Sequence, residues 1–190
     1  MLYAQVHLAL PAWLHEEVAA GRAYPDDESK VALAIQLSRR NVEHASGGPF
    51  GAAVFDGAHR LVSVGVNRVV PQTCSVAHAE MMAYMTAQQR LQLHRLNEPG
   101  TGLPGPVVLA TSSQPCCMCY GATFWAGIDR LLIGASADDV MTLTEFDEGP
   151  LPADWAGELE RRGIEVRQGL LREAAREVLR SYSEQAGARY

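Results

Sequence analysis

Residues 115–119 of the chain are Pro115-Cys116-Cys117-Met118-Cys119. A short apolar segment, residues 107–111, precedes them, and the pattern after Pro115 predicts a helix to about residue 126. A short, wholly apolar strand is typical of a central position in a sheet that is buried on both faces. The cysteines therefore lie where a buried strand meets a helix N-terminus. The positive end of a helix dipole favours a thiolate there.

A second polar group, His78-Ala79-Glu80, lies at the start of another predicted helix, residues 77–96. His78 and Cys116 are 38 residues apart. That separation leaves room for one helix, one loop and one strand. We therefore expect the two helix N-termini to face each other at the same end of the sheet, each offering unpaired backbone N–H groups.

The cysteines are few and crowded, since three of the four fall within four positions. A disulfide framework in a secreted domain spreads its cysteines along the chain, so this crowding favours metal or redox chemistry in a reducing compartment. The apolar stretch from Val6 to Leu14 contains Pro11 and lacks a basic flank, unlike a secretory signal. We expect a cytoplasmic protein.

Composition excludes several classes of protein. The 190 residues are 47% hydrophobic and 20% charged, which fits one folded domain. With 16 Lys and Arg against 22 Asp and Glu, the net charge is −6, so no stable binding of nucleic acid is expected. The sequence has no run of 18 apolar residues, so no membrane partner is expected either.

The remaining pattern predicts a hairpin followed by alternating helices and strands. Asp56-Gly57 is a turn signal between two strand-like segments. We predict a three-layer α/β/α domain with a mixed five-stranded sheet. Residues 1–28 form an extension with a short helix near residues 15–20, and residues 29–190 form a single domain. The predicted strands are 50–55, 60–66, 107–111, 130–135 and 164–168; the further helices are 29–45, 152–162 and 170–183, with a weak helix or loop at 138–144.

One His and two Cys give three metal ligands, His78, Cys116 and Cys119. A structural zinc site usually closes with four protein ligands, whereas a catalytic site keeps one position open for water. Glu80 is placed to handle the proton of that water. The combination H-x-E…P-C-x-x-C marks the zinc nucleobase deaminases. The chain therefore resembles the cytidine-deaminase-like superfamily, which implies one zinc ion per chain.

Four further motifs narrow the resemblance. They are GPFGA at 48–52, GVN at 65–67, YGATFWA at 120–126 and FDEGP at 146–150. Together they resemble small bacterial guanine deaminases, and most closely a subgroup that also accepts amino-s-triazines such as ammeline. The resemblance extends over most of residues 31–182. It implies hydrolytic deamination of guanine, a small nucleobase as partner, and a homodimer in which the tail ending at Tyr190 could close the partner's pocket.

The resemblance also implies individual roles. Glu80 would take a proton from the zinc water and return it to the ring, and Glu148 would shuttle a second proton to the leaving ammonia. Asn67 would bond the purine edge, although an Asn at a strand end is also a common turn residue. The remaining pocket residues would be Phe50, the backbone of Ala79, and Trp125, which could instead contribute to the dimer contact.

Three residues near the motif have other expectations. Many relatives carry Glu before the Pro-Cys pair, whereas this chain has Gln114, a change that could alter the tuning of the zinc ligands. Cys117, inside the C-x-x-C turn, is expected to point away from the metal. Cys74 is expected to have a structural role.

Other deaminases share the zinc motif. A tRNA adenosine deaminase requires a basic surface. In the last predicted helix Arg172, Arg176 and Arg180 recur every four residues, but acidic residues run beside them. That pattern is typical of a solvated amphipathic helix. Cytidine and deoxycytidylate deaminases remain a further alternative.

Two hypotheses come from other classes. A redox protein would use Cys116 and Cys119 as a dithiol that oxidises reversibly. A zinc-stabilised binding module without turnover would need a fourth protein ligand, for which Cys74 is the candidate.

Overall fold

A mixed five-stranded sheet forms the centre of the structure, a computed structural model that describes residues 4–18, 22–185 and 187–188. Its strands are β1 (Gly51–Phe55), β2 (Leu61–Val66), β3 (Val108–Ser113), β4 (Arg130–Ala135) and β5 (Glu165–Arg167). The strand order is β2-β1-β3-β4-β5. β1 is antiparallel to both β2 and β3, whereas β3, β4 and β5 are parallel. This arrangement confirms the predicted mixed sheet.

Helices cover both faces of the sheet, as predicted for a three-layer domain. The helices are α1 (Leu14–Glu17), α2 (Asp27–Glu43), α3 (Ala79–Leu91), α4 (Cys117–Ala126), α5 (Ala137–Thr144), α6 (Trp155–Glu160) and α7 (Arg172–Glu184). One apolar cluster packs α2, α5 and α7 on one face, and a second packs α3, α4 and α6 on the other. The central strand β3 is buried along its whole length.

Reciprocal capping boxes define the start of two of these helices. Asp26 accepts a hydrogen bond from the Ser29 N–H at 2.6 Å and completes a capping box at the start of α2. The segment predicted as a weak helix or loop is the helix α5, because Ser136 and Asp139 form a second capping box. Such caps satisfy N–H groups that have no partner within the helix.

Two helices are shorter than predicted. α3 ends at Leu91 rather than at residue 96, because Gln92 adopts a left-handed conformation with φ of 56°. α6 spans Trp155–Glu160 rather than 152–162, with Asp154 capping its start. Both predicted helix ends were wrong. After α3 the buried Leu96 continues the apolar pattern of a helix, although it is a loop residue.

The N-terminal residues pack against the domain. Leu14 is 3% exposed, and the Trp13 indole donates to Ser46 Oγ at 3.0 Å. The predicted short helix is observed as α1, while residues 19–20 lie outside the described residues. The division at residue 28 stays a prediction. No helix in the described part of the chain is long and apolar enough to cross a membrane.

The arginines of α7 are paired with acids. Arg172 and Arg176 both bond Asp139, which is 2% exposed, and so they join α7 to α5. Arg180 pairs with acids of its own helix. The arginine row is therefore engaged in intramolecular ion pairs.

Candidate active site

The two helix N-termini predicted to face each other carry the candidate ligands. His78 is the N-cap residue of α3 and Cys116 is the N-cap residue of α4. Neither side chain caps its own helix, so each remains available to another partner. α3 reaches the sheet closely because β2 has Gly65 at the contact, where a Cβ atom would lie 2.0 Å from the carbonyl oxygen of Ala79.

His78, Cys116 and Cys119 form a group that fits a metal ion. One nitrogen and two sulfur atoms of these residues lie within 4.8 Å of one another. His78 Nδ1 is 3.5 Å from Cys116 Sγ. A hydrogen bond from the Cys119 thiol lowers the pKa of Cys116 against the effect of its burial, and His78 lowers it further. A nitrogen and two sulfur ligands suit zinc.

Cys74 is not a member of this ligand group. The described residues thus give the fourth-ligand hypothesis of a binding module no support. The dithiol hypothesis accounts for Cys116 and Cys119 but not for the imidazole placed against them.

Glu80 lies beside the ligand group in the first turn of α3. Its side chain is 6% exposed. Burial and, to a smaller extent, the nearby Cys116 together raise the pKa of Glu80 to about 7, although His78 opposes the shift. A carboxyl group with a pKa near neutrality can both accept and release a proton under physiological conditions.

Glu148 is brought to the same site by α4. The Cys117 N–H, the first of the helix, donates to the backbone carbonyl of Glu148 at 2.9 Å. A Cβ atom on Gly149 would lie 2.6 Å from Cys117 Sγ, so the two residues pack closely. Burial raises the pKa of Glu148 to about 8, with further contributions from Cys116 and Glu80.

Cys117 is absent from the ligand group, as the sequence predicted. Its packing against the Glu148 segment is an additional role that local sequence did not indicate. Only the long-range contact shows it.

Asn67 presents an unpaired donor at the end of β2. Its Oδ1 accepts the Val69 N–H at 3.2 Å, and its own N–H donates to the Phe50 carbonyl at 3.1 Å. Asn67 is 1% exposed, and its Nδ2 has no hydrogen-bond partner among the described residues. A buried donor without an acceptor costs free energy, so few are left in folded proteins. One that borders a cavity is therefore a candidate for a hydrogen bond to a ligand.

Asn41, which sequence reasoning missed, holds Asn67 in place. The fully buried Asn41 donates from Nδ2 to the backbone carbonyls of Asn67 and Gly48, at 2.9 and 2.8 Å. Its Oδ1 accepts the Ser46 hydroxyl at 2.7 Å. Gly47 leaves no room for a side chain, since a Cβ atom there would lie 1.9 Å from the Asn67 carbonyl oxygen. The residue spacing along α2 does not indicate that Asn41 bonds two distant backbone carbonyls.

These residues surround one cavity. Six of the predicted site residues line it: Phe50, Asn67, His78, Glu80, Cys116 and Glu148. Cys119 is fully buried behind them. Three lining residues were not predicted as pocket residues: Gln114, Phe146 and Asp147. Phe146 packs on Phe50 with ring centroids 5.5 Å apart, so the aromatic pair forms one wall.

Two predicted pocket residues do not line the cavity. Ala79 is fully buried, and it packs in the apolar cluster beneath α3. Trp125 is 72% exposed and lies edge-on to Phe124. Eight residues separate it from the N-terminus of α4 at Cys117, which places it about 12 Å along the helix. Trp125 is absent from the lining of this cavity, and its predicted part in framing the pocket or the dimer contact stays a prediction.

Comparison with known proteins gives a family match. The model of the cytidine and deoxycytidylate deaminase zinc-binding region matches residues 25–135. Guanine deaminase of Bacillus subtilis is 33% identical over 113 residues, covering 59% of this chain and 66% of that protein. The chain thus aligns with about two thirds of the length of this curated relative.

Two solved structures are similar over nearly the whole chain. Guanine deaminase from Nitrosomonas europaea superposes with a TM-score of 0.89 at 42% identity, covering 97% of this chain and 99% of that one. NE0047 in complex with 2,6-diaminopurine also superposes with a TM-score of 0.89, at 44% identity, covering 97% of this chain and 95% of that one.

Proposed function

Because this chain belongs to the family defined by the cytidine and deoxycytidylate deaminase zinc-binding region, we propose that it hydrolyses guanine to xanthine and ammonia with the aid of zinc. The observation that carries the proposal is the position of three metal-ligand atoms within 4.8 Å of one another at a cavity that Glu80 and Glu148 also line. The similarity to guanine deaminases from two organisms supports guanine as the substrate.

His78, Cys116 and Cys119 would hold one zinc ion per chain. When bound, zinc supplies a water molecule whose pKa is lowered toward neutrality, the nucleophile for carbon C2 of guanine. Three protein ligands leave a coordination position for that water, as in other catalytic zinc sites.

Glu80 would accept a proton as the nucleophile forms and deliver it to ring nitrogen N3, next to C2. Its pKa of about 7 suits both transfers. Proton delivery to N3 lets the ring take up the electron pair when the new C–O bond forms. Glu80 is thus proposed as the general base and then the general acid at the ring.

Glu148 would protonate the departing amine. Its pKa of about 8 keeps the carboxyl group largely protonated at neutral pH, so a proton is available for transfer. The C–N bond then breaks with release of ammonia, and the C2 hydroxyl group would return its proton to the Glu148 carboxylate as the C2 carbonyl group of xanthine forms. Asp147 also lines the cavity, but its side chain caps the Gly149 N–H at 2.8 Å, which favours Glu148 as the donor.

The base itself would be held by Asn67 and Phe50. The unpaired Asn67 Nδ2 offers a hydrogen bond to an acceptor atom at the purine edge. The Phe50 ring, supported by Phe146, offers an apolar face for stacking. The predicted contribution of the Ala79 backbone stays an expectation of the family resemblance.

We further propose that amino-s-triazines such as ammeline are alternative substrates, on the basis of the resemblance of residues 146–150 to the subgroup that accepts them. No stable complex with nucleic acid is expected, since the arginines of α7 are occupied by acids. The cytoplasm is the proposed location.

We propose that the chain forms a homodimer and that the exposed surface of α4 forms the interface. This helix carries no charged residue, and only Cys119, Thr123 and Ala126 are buried in it. Its exposed Trp125 gives the contact an aromatic anchor. Trp125→Glu is expected to shift the sedimentation of the protein toward the monomer, and an unchanged dimer would remove α4 from the interface. Tyr190, which was predicted to help close the partner's pocket, lies outside the described residues.

The proposal is tested by ammonia release from guanine, ammeline, adenine, cytosine, cytidine and guanosine, with zinc content measured on the same preparation. Release from guanine at about one zinc per chain is the expected result. Zinc without release from guanine would overturn the assigned substrate, and reversible thiol oxidation without zinc would favour the dithiol hypothesis.

A further inference from the structure

Gln114 lines the cavity with a side chain that is only 8% exposed. Its Oε1 accepts the N–H of Ala137, the first residue of α5, at 3.2 Å. A backbone N–H can only donate, so the amide oxygen must occupy that side. The orientation of the carboxamide is therefore determined by its partner, and its NH₂ group faces the other way.

No residue that the structure describes accepts a hydrogen bond from the NH₂ group of Gln114. The Gln114 backbone, in contrast, is fixed by a bond from its N–H to the Ala135 carbonyl at 2.8 Å. Among the described residues the cavity lining thus offers two carboxamide NH₂ groups without a protein acceptor, the buried Nδ2 of Asn67 and the Nε2 of Gln114. A ligand with two acceptors can bond both.

The place of Gln114 in the chain indicates which part of the base it meets. Only Pro115 separates it from Cys116, and both residues line the cavity, so a base that reacts at the ligand group would present its six-membered ring to this part of the lining. The six-membered ring of guanine has two acceptors, N3 and the 6-oxo oxygen. N3 is the atom that receives the proton from Glu80 in the proposed reaction, which leaves the 6-oxo oxygen.

We propose that Gln114 is a substrate-binding residue that donates from Nε2 to the 6-oxo oxygen of the purine and thereby selects 6-oxopurines; this inference rests on the proposed function. A purine with hydrogen at C6 offers no acceptor to Gln114 Nε2. A purine with an amino group at C6 places a second donor against it. A site that is built to bond a polar group discriminates strongly against analogues that lack it.

The glutamate that many relatives carry at this position would accept the Ala137 N–H equally well. It would lack the NH₂ donor, and it would add a fourth carboxyl group to a cavity that Glu80, Asp147 and Glu148 already line. Gln114→Glu therefore keeps the structural bond and puts a carboxylate oxygen in place of the proposed donor to the base. Gln114→Met removes both.

The test measures calorimetric binding of hypoxanthine and of unsubstituted purine to the zinc-loaded protein. Neither ligand has an amino group to lose, and they differ only in the 6-oxo group and the ring proton that accompanies it. The native protein is expected to prefer hypoxanthine by about tenfold or more, and both Gln114→Glu and Gln114→Met to lose most of that preference. Turnover of guanine by the native protein is measured alongside.

The outcomes separate the two proposals. Equal binding of both ligands by the native protein, or an unchanged preference in Gln114→Glu, overturns the role of Gln114 even if guanine is turned over. A preference that Gln114→Met loses and Gln114→Glu keeps assigns Gln114 a purely structural role. A preference that depends on Gln114, without ammonia release from guanine, supports the binding role and overturns the proposed reaction.

Discussion

The backbone N–H of Cys117 donates to the backbone carbonyl of Glu148 at 2.9 Å. Cys117 follows the candidate metal ligand Cys116, and Glu148 is the candidate proton donor for the leaving group. The N-terminus of α4 therefore positions both. A helix N-terminus has N–H groups without intrahelical partners, so it can hold a loop carbonyl at no cost to the helix.

Glu80→Gln is expected to bind zinc normally and to lose activity. The amide keeps the shape of the side chain but cannot accept the proton, and proton transfer of this kind contributes about 10²–10⁴-fold to the rate. Measurement of kcat for guanine together with zinc content checks this prediction. A zinc-loaded Glu80→Gln protein with native kcat would contradict it.

Gly149→Ala is expected to reduce kcat more than it reduces stability. The added methyl group would lie 2.6 Å from Cys117 Sγ, and the backbone has φ of +69°, so the Glu148 segment must shift. A displacement of a reacting group by about 1 Å can lower the rate by about 10²-fold. The measurement is kcat for guanine, with thermal unfolding of the same sample.

Gly163→Ala is the matched control for this variant. Gly163 also has a positive φ, of +82°, but a Cβ atom there would meet nothing within 4 Å. It carries the same backbone strain of about 1 kcal/mol without a clash. Equal effects of the two substitutions on kcat would show that the Cys117 contact does not position Glu148.

Asn41→Leu is expected to raise KM for guanine by roughly tenfold and to lower the free energy of unfolding by about 2 kcal/mol. Leucine fits the volume but leaves the Asn67 and Gly48 carbonyls without their donor. Steady-state kinetics and urea unfolding measure the two effects. The control is Asn97→Ala, which removes a bond to Asp129 outside the cavity and should lower stability without changing KM.

Asp139→Asn is expected to lower the free energy of unfolding by about 2 kcal/mol at pH 7. The hydrogen bond from Arg172 lowers the pKa of Asp139, and bonds from Ser136 and Arg176 lower it further, against the effect of burial. The folded pKa is thus below the unfolded value of about 3.9. The stabilisation is fully present above that value and is lost as the pH falls through the folded pKa.

The difference in stability between native protein and Asp139→Asn should therefore shrink as the pH is lowered below about 4. Urea unfolding at a series of pH values tests this. Asp154→Asn, at an exposed ion pair with Arg161, serves as the control and should have a small effect at every pH. A difference for Asp139→Asn that stays constant into acid would refute the assignment.

Much of the fold could be predicted from sequence, because its signals are local. The Asp56-Gly57 turn and the apolar strand before Pro115 depend on neighbouring residues, and the predicted sheet and layers followed from such signals. The ends of the helices were predicted less accurately than their existence. Leu96 continued the apolar pattern of α3, but it is buried as a loop residue whose N–H bonds the Ala126 carbonyl.

The pocket residues also divide into those that local sequence could indicate and those that it could not. Trp125 belonged to a motif next to the ligands, but the direction of α4 carries it away from the cavity and into solvent. Asn41 belonged to no motif, yet it is the residue that fixes Asn67. Sequence proximity to a motif indicates nearness in space only over about one helical turn.

The sequence alone determined the chemistry: a histidine, two cysteines and a glutamate at the spacings that a metal-dependent proton transfer needs. Those spacings act through local geometry, because each motif begins a helix and the residue order sets which side chain faces the ligand group. The tertiary structure decided which groups are left without a partner. Within the described part of the chain, the NH₂ groups of Asn67 and Gln114 find no acceptor, and Glu148 is attached to Cys117; both features depend on contacts between distant segments. Whether a polar atom is already satisfied is a property of the packed chain and not of its local sequence.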